Sequence, residues 1–493
     1  MTAREATGIA ALALLVLACY VQVAGHTFIW DTTHIFEPEA MREFSLASIG
    51  WAFSNTVIAN WHPLSLITHQ LDWALYGESS GGHHITNVLL HLAVSVVVFL
   101  LVREMADGRA PEASVLALLV ALVFALHPLR VESVAWVAAR KDLLYSLFYL
   151  LAALFYVRTG RVTLAVIACF AASLLSKSMA VTLPAVLVLL DLCPLGRLSL
   201  DRTFWPTLLR RVTEKWVLWL MSVAVILVTL ATQDNAMAVQ LSRLEQLGNA
   251  VHNTIFYLQQ FVVPVGLSPF YPFESVAERT AWQYWLLPGV ILLALAVAAL
   301  SCALRGQPLY LTCLGLYLVM LLPASGLVHV GSSAAADRYT YLPLLPANFL
   351  LALGIVTAWR QFVPLRRVLG LVAVLLVLTL GALTFMQARH WQNPVTFWSQ
   401  VLRHYPGAAL AHRNIATAFL SIGERERAAS HLVILVIDGW PMTEELVAVV
   451  LAADEPLAYA AEIERIAAGQ GLQANAVAAL NAVVARIRAS VAP

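Results

Sequence analysis

The chain has 493 residues, of which 60% are hydrophobic and 12% are charged, and its formal net charge is +1. This composition predicts a protein that crosses a membrane several times, because soluble domains carry far more charge. The nearly neutral balance argues against a nucleic-acid partner, which would require a surplus of basic residues. All five cysteines lie within or at the ends of apolar runs, so neither a disulfide framework nor a cysteine-based metal site is expected.

Apolar runs long enough to be interpreted as membrane spans follow one another along most of the chain. The eleven runs lie at 7–24, 86–102, 113–127, 143–157, 162–176, 179–194, 216–232, 285–303, 308–325, 341–359 and 368–386. We interpret the first as a span rather than a cleaved signal peptide, since only Arg4 precedes it and Glu5 offsets that charge. Basic residues, including a cluster at 197–215, predict a cytoplasmic N-terminus.

The loop between the first two spans, residues 26–85, contains far more polar and aromatic residues than a simple connection requires. It carries Asp31, Glu37, Glu39 and Asp72, together with six histidines and four tryptophans. Acidic groups beyond the end of a membrane helix, with aromatic residues at headgroup depth, favour a site for a polar substrate carried by a lipid. The alternative is an amphipathic loop on the membrane surface that the tryptophans anchor.

Segment 249–267 is apolar but contains His252, Asn253, Gln259 and Gln260. Counting it as a span would reverse the orientation of every helix that follows, so we interpret it as a re-entrant helix that lines a cavity. An ordinary twelfth span with reversed downstream topology is the alternative.

The composition changes at residue 389, and residues 389–493 form an alanine-rich tail with helical periodicity. Within it, the stretch 414–431 places Ala418, Gly423 and Ala428 at the spacing of one tetratricopeptide repeat. The sequence therefore predicts two domains, a membrane module over 1–388 and a small helical tail over 389–493. The predicted topology places this tail on the outer side.

Three short outer segments combine charges that could bind a phosphate. The first, HPLRVESVAWVAARKDLL, carries His127, Arg130, Glu132, Arg140, Lys141 and Asp142. The second places Lys177 in a nearly continuous apolar stretch, and the third contains Asp337, Arg338 and Tyr339. Arginine and lysine are the side chains that most often bind phosphate in proteins, because they donate charge-assisted hydrogen bonds to its oxygens. As alternatives to phosphate binding, these charges could form internal salt bridges, or Lys177 could extend to the membrane surface.

No glycine-rich nucleotide loop and no HExxH motif occurs in the sequence, so a donor would arrive through the membrane rather than as a bound nucleotide. Several blocks occur in a characteristic order: FIWDTT, NWHPLSLITHQLDWALYG, GGHHITNVLLH, FALHPLRVESVAWVAARKDLL, LLSKSMAVTLPAVLVLLDLCPLG, LSPFYP and ADRYTYLP. With the repeat-like tail, this order resembles the bacterial membrane glycosyltransferases with C-terminal tetratricopeptide repeats. These are similar to the eukaryotic transmembrane and TPR-containing protein O-mannosyltransferases, which have the GT-C fold.

The resemblance implies an all-α polytopic GT-C enzyme with about eleven spans, a re-entrant helix and a TPR-like tail. It would transfer a sugar from a polyprenyl-phosphate donor to a hydroxyl of a protein or a glycan, with inversion and without a metal or another cofactor. Asp31 would be the general base. The predicted donor-phosphate ligands are Arg140, Lys141, Lys177 and Arg338, and the predicted pocket residues are His62, His127, Glu132, Asp337 and Tyr339.

The same resemblance predicts an integral protein of the bacterial inner membrane with a periplasmic tail that could contact a protein partner. This chain departs from the family pattern at two positions. Only Asp31 matches the two adjacent acids of the family, since Thr32 follows it, and Gln260 stands where a lysine is common. A transporter or flippase that binds the lipid-linked sugar without catalysis, and a degenerate scaffold, are therefore the alternative functions.

Overall fold

The computed structural model describes residues 2–106, 111–233, 242–273, 282–327, 333–469 and 471–491. Within these ranges the chain is almost entirely helical, and the only sheet is a short antiparallel pair, Tyr271–Pro272 (β1) and Ser333–Ala335 (β2). The predicted helical class is thus confirmed. The chain divides into two compact units, Met1–Gln392 and Asn393–Pro493, whereas the predicted boundary lies after residue 388.

The first unit is built from seventeen α-helices within the described ranges. They are Ala3–Tyr20 (α1), Asp31–Ile35 (α2), Leu46–Ser54 (α3), Pro63–Tyr76 (α4), Ser80–Met105 (α5), Pro111–Leu126 (α6), Val131–Ala135 (α7), Arg140–Thr159 (α8), Leu164–Ser176 (α9), Leu183–Leu192 (α10), Phe204–Thr213 (α11), Trp216–Gln233 (α12), Arg243–Val262 (α13), Leu287–Leu304 (α14), Leu309–Leu321 (α15), Leu345–Gln361 (α16) and Arg366–Ala388 (α17). Short 3-10 segments lie between several of them, at Val21–Gly25, Glu39–Arg42, Pro128–Arg130, Val137–Ala139, Ser178–Thr182, Leu322–Ala324, Asp337–Thr340, Val363–Leu365 and Arg389–Trp391.

Several of these helices are long and apolar enough to cross a membrane. In the described part of the chain five segments qualify: Ala3–Gly25, Ser80–Met105, Val137–Thr159, Tyr284–Leu304 and Val363–Trp391. Two bent pairs, α6 with Pro128–Ala135 and α11 with α12, would raise the number to seven if each pair forms one span. Shorter apolar helices occupy Leu164–Ser176, Ser178–Leu192 and Leu309–Ala324. The predicted total of eleven spans stays a prediction.

The segment predicted to be re-entrant belongs to α13, which does not qualify as a span by length and apolar content. Two of its asparagine side chains are buried and bonded to protein, whereas Gln259 is exposed and Gln260 is only partly buried. Asn253 Nδ2 donates to Ala334 O at 2.9 Å, and Tyr284 Oη donates to Asn249 Oδ1 at 2.6 Å. Protein partners of this kind are what a polar helix at membrane depth requires. The re-entrant interpretation nevertheless stays a prediction.

Two adjacent glycines fix the start of α5 against the end of α4 and the chain that follows α1. A Cβ atom at Gly82 would lie 2.2 Å from the Tyr76 ring, and one at Gly81 would lie 2.5 Å from Ala24 O. Any larger residue would force these elements apart. Ser80 Oγ also donates to His26 O at 2.7 Å. The GG pair therefore brings the end of α4 and the chain after α1 to the same end of α5.

The second unit contains Pro394–His404 (α18), Ala409–Ser421 (α19), Arg425–Ile437 (α20), Thr443–Leu451 (α21), Pro456–Ala467 (α22) and Ala474–Val491 (α23). Helices α19 and α20 pack against each other across a turn at Gly423, whose φ of +82° favours glycine. Ala418 and Ala428 are buried, as small residues in a helix–turn–helix packing unit should be. The tetratricopeptide character of the whole tail stays a prediction.

Candidate active site

Four segments that are far apart in the sequence bring their charged residues together in the first unit. Asp31 begins α2, Lys141 lies in the first turn of α8, Lys177 follows α9, and Arg338 lies in the 3-10 segment Asp337–Thr340. Lys141 and Arg338 are the charges that act most strongly on Asp31. Lys141 in turn lies within electrostatic reach of Lys177 and Arg338. One acid and three of the four predicted phosphate ligands therefore form a single cluster, which we call the acid–cation site.

Asp31 is held in this site by an unusual backbone conformation. The preceding residue, Trp30, has a φ of +49°, a value that costs a non-glycine residue about 1–3 kcal/mol. The Trp30 ring stacks on Trp136 with centroids 5.3 Å apart and planes 11° apart. Burial raises the pKa of the Asp31 carboxyl, while the positive charges of Lys141 and Arg338 lower it. The result is a partly dehydrated carboxylate facing two cations, an arrangement suited to accepting a proton.

The Arg338 side chain packs against two aromatic rings at the acid–cation site. Its guanidinium forms an ion pair with the buried Glu132, and its backbone N donates to Glu132 Oε2 at 2.8 Å. The Arg338 Cζ atom lies 5.3 Å from the Trp136 ring centroid and 4.8 Å from that of Tyr339. Trp136 thus contacts both Trp30, next to the acid, and Arg338. Tyr339 also faces Lys177, whose Nζ lies 5.9 Å from its ring centroid.

The two lysines of the site line a small cavity. Its wall consists of Asn60, Trp61, His62, Lys141, Lys177, Ser178, Thr229 and Thr232. Lys177 Nζ lies 2.5 Å from Asp142 Oδ1, whereas Lys141 makes no salt bridge within the described ranges. The cavity volume of about 30 Å³ suits water, so a sugar phosphate would need the lining side chains to move outward.

His62 contributes to this cavity as a neutral ring. It is buried, and its Nδ1 atom lies 3.1 Å from Asn60 O. Burial and, to a smaller extent, the positive charge of the nearby Lys141 lower the His62 pKa to about 3. The imidazole is therefore uncharged at neutral pH, so it can exchange hydrogen bonds with a ligand but cannot neutralise a phosphate.

Arg140, a predicted phosphate ligand, lies in an environment made entirely of protein groups. The side chain is fully buried, and its Nη2 atom lies 2.5 Å from Asp72 Oδ2. Nε donates to Asn87 Oδ1 at 2.9 Å, Nη1 to Thr68 O at 3.0 Å and Nη2 also to His83 O at 3.0 Å. All three nitrogens are thus bonded to protein atoms. This environment favours a structural role for Arg140, which ties α8 to α4 and α5.

The remaining predicted pocket residues are engaged by the protein. His127 Nε2 lies 3.0 Å from Phe261 O, and the His127 ring stacks on Phe261. Asp337 accepts a hydrogen bond from Tyr271 Oη at 2.8 Å. Burial and the neighbouring Glu132 raise the pKa of the Asp337 carboxyl well above its ordinary value. Of the predicted pocket residues, Glu132 bonds Arg338 directly, whereas His127 and Asp337 bond to Phe261 and Tyr271.

Three other acids of the loop over residues 26–85 are poorer candidates for the base. Asp72 is paired with Arg140, and Glu37 lies 2.7 Å from His34 Nδ1 on the exposed surface. Glu39 is exposed as well. Within the described ranges no group of three or more histidine, cysteine or acidic side chains is arranged to hold a metal ion. Lys177 and Arg338 are also paired with buried acids, Asp142 and Glu132, but unlike Arg140 their side chains keep part of their surface exposed. With Lys141, they are the groups that could bind a phosphate.

Comparison with curated proteins finds relatives of one kind. A protein O-mannosyl-transferase of Caenorhabditis elegans is 22% identical over 72% of this chain and 50% of its own length. The human protein O-mannosyl-transferase TMTC4 is 39% identical over 22% of this chain and 16% of its own. The Drosophila melanogaster Tmtc1 is 35% identical over 29% of this chain and 17% of its own. The resemblance found in the sequence motifs is thereby confirmed.

The extent of these similarities is limited. The chain spans half or less of the length of the curated relatives that it matches. No protein-family model matches it. Among solved structures, ArnT from Cupriavidus metallidurans bound to undecaprenyl phosphate aligns over 97% of this chain and 75% of its own, with 14% identity. Its TM-score of 0.32 is too low to support an inference about the fold.

Proposed function

We propose that this chain is a membrane glycosyltransferase that moves a sugar from a lipid-linked phosphate to an acceptor hydroxyl. The observation that carries the proposal is the acid–cation site, in which Asp31 lies within electrostatic reach of Lys141 and Arg338, and Lys141 within reach of Lys177. The curated relatives are named protein O-mannosyl-transferases, which agrees with transfer to a hydroxyl. In its finer form the proposal is a GT-C enzyme that uses a polyprenyl-phosphate sugar and inverts the anomeric carbon.

Each group of the site has a definite task in this reaction. Asp31 accepts the proton of the acceptor hydroxyl while that oxygen forms a bond to the anomeric carbon. The bond between this carbon and the phosphate oxygen breaks, and the electron pair leaves with the lipid phosphate. Lys141, Lys177 and Arg338 stabilise the charge that develops on the departing phosphate. Such fixed positive charge can replace a divalent cation, so the mechanism needs no metal.

The acceptor in this proposal is a hydroxyl of a protein or of a surface glycan. The basic residues of the predicted inner segments support an outward-facing active site and tail, in an inner membrane with the N-terminus in the cytoplasm. The repeat-like second unit would then select or present the acceptor.

The adjacent residues Arg140 and Lys141 offer a direct test of donor binding. Lys141→Met should weaken binding of a polyprenyl-phosphate sugar by about 10- to 100-fold, because one charge-assisted contact contributes about 1.5–3 kcal/mol. Its stability should change little, since Lys141 makes no salt bridge within the described residues. The measurement is calorimetric titration of the detergent-solubilised protein with the donor, together with a thermal melt.

Arg140→Met is the matched control for this test, because it removes an equal charge one position away. It should lower the melting temperature while the folded fraction keeps the wild-type dissociation constant for the donor. If Lys141→Met instead binds the donor as the wild type does, the cavity lysine is not a phosphate ligand and the proposed site is wrong.

The rate of transfer should also depend on pH through Asp31. At saturating donor the rate should fall as the pH drops through the raised pKa of Asp31, because a protonated carboxyl cannot accept a proton. The positive charge of Lys141 lowers this pKa. Lys141→Met should therefore shift the acidic side of the pH–rate profile to higher pH. Lys177→Met is the control, since Lys177 is not one of the principal charges acting on Asp31. An unchanged pH–rate profile in Lys141→Met would argue against Asp31 as the base.

A further inference from the structure

Helix α11, Phe204–Thr213, has features that the transfer reaction does not use. It precedes α12, and the two helices are bent by 64° where they meet. One side of α11 is attached to the protein, because Phe204, Leu208 and Val212 pack on the core residues Val188, Leu192 and Leu198. The orientation of the helix is therefore fixed by its own packing.

The adjoining stripe of α11 is apolar but uncovered. Trp205 and Leu209 are four positions apart, so they lie on the same side of the helix. Their exposed fractions are 74% and 65%, so neither side chain is covered by the rest of the protein. The apolar surface of α11 is thus wider than the area that the protein covers.

The surroundings of this stripe carry a surplus of positive charge. Residues 191–215 contain five basic side chains (Arg197, Arg202, Arg210, Arg211 and Lys215) and three acidic ones (Asp191, Asp201 and Glu214), which leaves a net charge of +2. Asp191 forms salt bridges with Arg197 and Lys215, and Glu214 forms salt bridges with three arginines.

Two of these arginines are available to an external anion. Arg202 is exposed and makes no salt bridge in the described part of the chain. The Arg210 side chain is 73% exposed and contacts Glu214 only at 3.3 Å. Asp201, next to Arg202, accepts hydrogen bonds from the backbone N and the hydroxyl of Thr203 at 2.7 and 2.6 Å.

We propose that α11 lies in the headgroup layer of the membrane and binds anionic phospholipids. Arg202 and Arg210 would contact the lipid phosphates, while Trp205 and Leu209 enter the boundary of the acyl chains. A lipid surface is the occupant that fits, because α12 continues directly from this helix with Leu220, Leu227 and Leu230 also exposed. The site is separate from the acid–cation site and does not depend on the proposed reaction.

Lipid selectivity tests the charged part of this proposal. Native mass spectrometry of the full-length protein, titrated with phosphatidylglycerol or phosphatidylcholine, should show tighter binding of phosphatidylglycerol. Arg202→Gln/Arg210→Gln should weaken phosphatidylglycerol binding by a factor of about five for each arginine removed. The control Arg403→Gln/Arg413→Gln, which removes two exposed arginines of the second unit, should bind as the wild type does. Equal binding of both lipids, or no loss in the α11 variant, would overturn the proposal.

Probe depth tests the apolar part independently of charge. A fluorophore on Trp205→Cys should be quenched by lipids that carry a spin label near the headgroup, in protein reconstituted into phosphatidylglycerol vesicles. The same fluorophore on Thr207→Cys, which lies on the other side of α11, should be quenched much less. Equal quenching at both positions, or protection of position 205 by a co-purified protein, would show that α11 does not rest in the lipid surface.

Discussion

Asp31→Asn is expected to insert and fold normally, to bind the lipid-linked donor, and to lose sugar transfer by roughly 10²-fold or more. The substitution keeps the size and shape of the side chain but removes the group that accepts the proton. Folding should be preserved because no salt bridge of Asp31 exists within the described ranges, so the substitution breaks no short ion pair. Release of free polyprenyl phosphate in the presence of an acceptor measures the transfer rate.

A matched control for Asp31→Asn is Glu37→Gln, which removes another carboxylate of the same loop, residues 26–85. Glu37 is exposed and paired with His34, so its replacement should leave the transfer rate unchanged. If the Asp31 variant turns over at the wild-type rate while the Glu37 variant does not, the base has been assigned to the wrong acid. If both variants are active, Asp31 is only a polar residue at the end of a helix.

Arg140→Met is expected to destabilise the protein by about 3–5 kcal/mol, the usual cost of leaving one member of a buried ion pair without its partner. Asp72 would remain buried opposite an apolar side chain, and the acceptors of Asn87, Thr68 and His83 would lose their donor. Thermal or denaturant unfolding of the detergent-solubilised protein measures the effect.

The double variant Arg140→Met/Asp72→Leu separates charge from packing. Removing both members of the pair should recover a substantial part of the lost stability, because no uncompensated charge remains. The single variant Lys141→Met should stay close to the wild type in the same melt. A stable Arg140→Met protein with weakened donor binding would contradict the structural role and restore Arg140 as a phosphate ligand.

The sequence predicted the members of the candidate site better than it predicted their roles. Asp31, Lys141, Lys177 and Arg338 were identified from charges at the ends of apolar runs and from the order of the motifs. Arg140 and Lys141 looked equivalent, because adjacent positions in a motif carry no information about which side chain faces the interior. Only the fold reveals that Arg140 meets Asp72 from α4 while Lys141 faces the cavity.

Aromatic contacts and helix breaks were also beyond the reach of the sequence. Trp136 lies inside a recognised motif, but its position between Trp30 and Arg338 depends on packing between distant segments. Similarly, the apolar runs gave the positions of the helices but not their continuity. The 61° bend between α6 and Pro128–Ala135 lies at His127 and Pro128, where the helical hydrogen bonds are interrupted. Hydropathy alone cannot separate such a bent pair from one straight span.

The most direct test of the central claim is mass spectrometry of the secreted proteins and surface glycans of cells that carry the wild-type chain, the Asp31→Asn variant or no copy of it. The account predicts a sugar modification that is present with the wild type and absent in both other strains, although the variant protein accumulates in the membrane at a normal level. Identical glycan and glycopeptide profiles in all three strains would contradict sugar transfer by this chain. A modification that persists with Asp31→Asn but disappears with the deletion would contradict the role of Asp31.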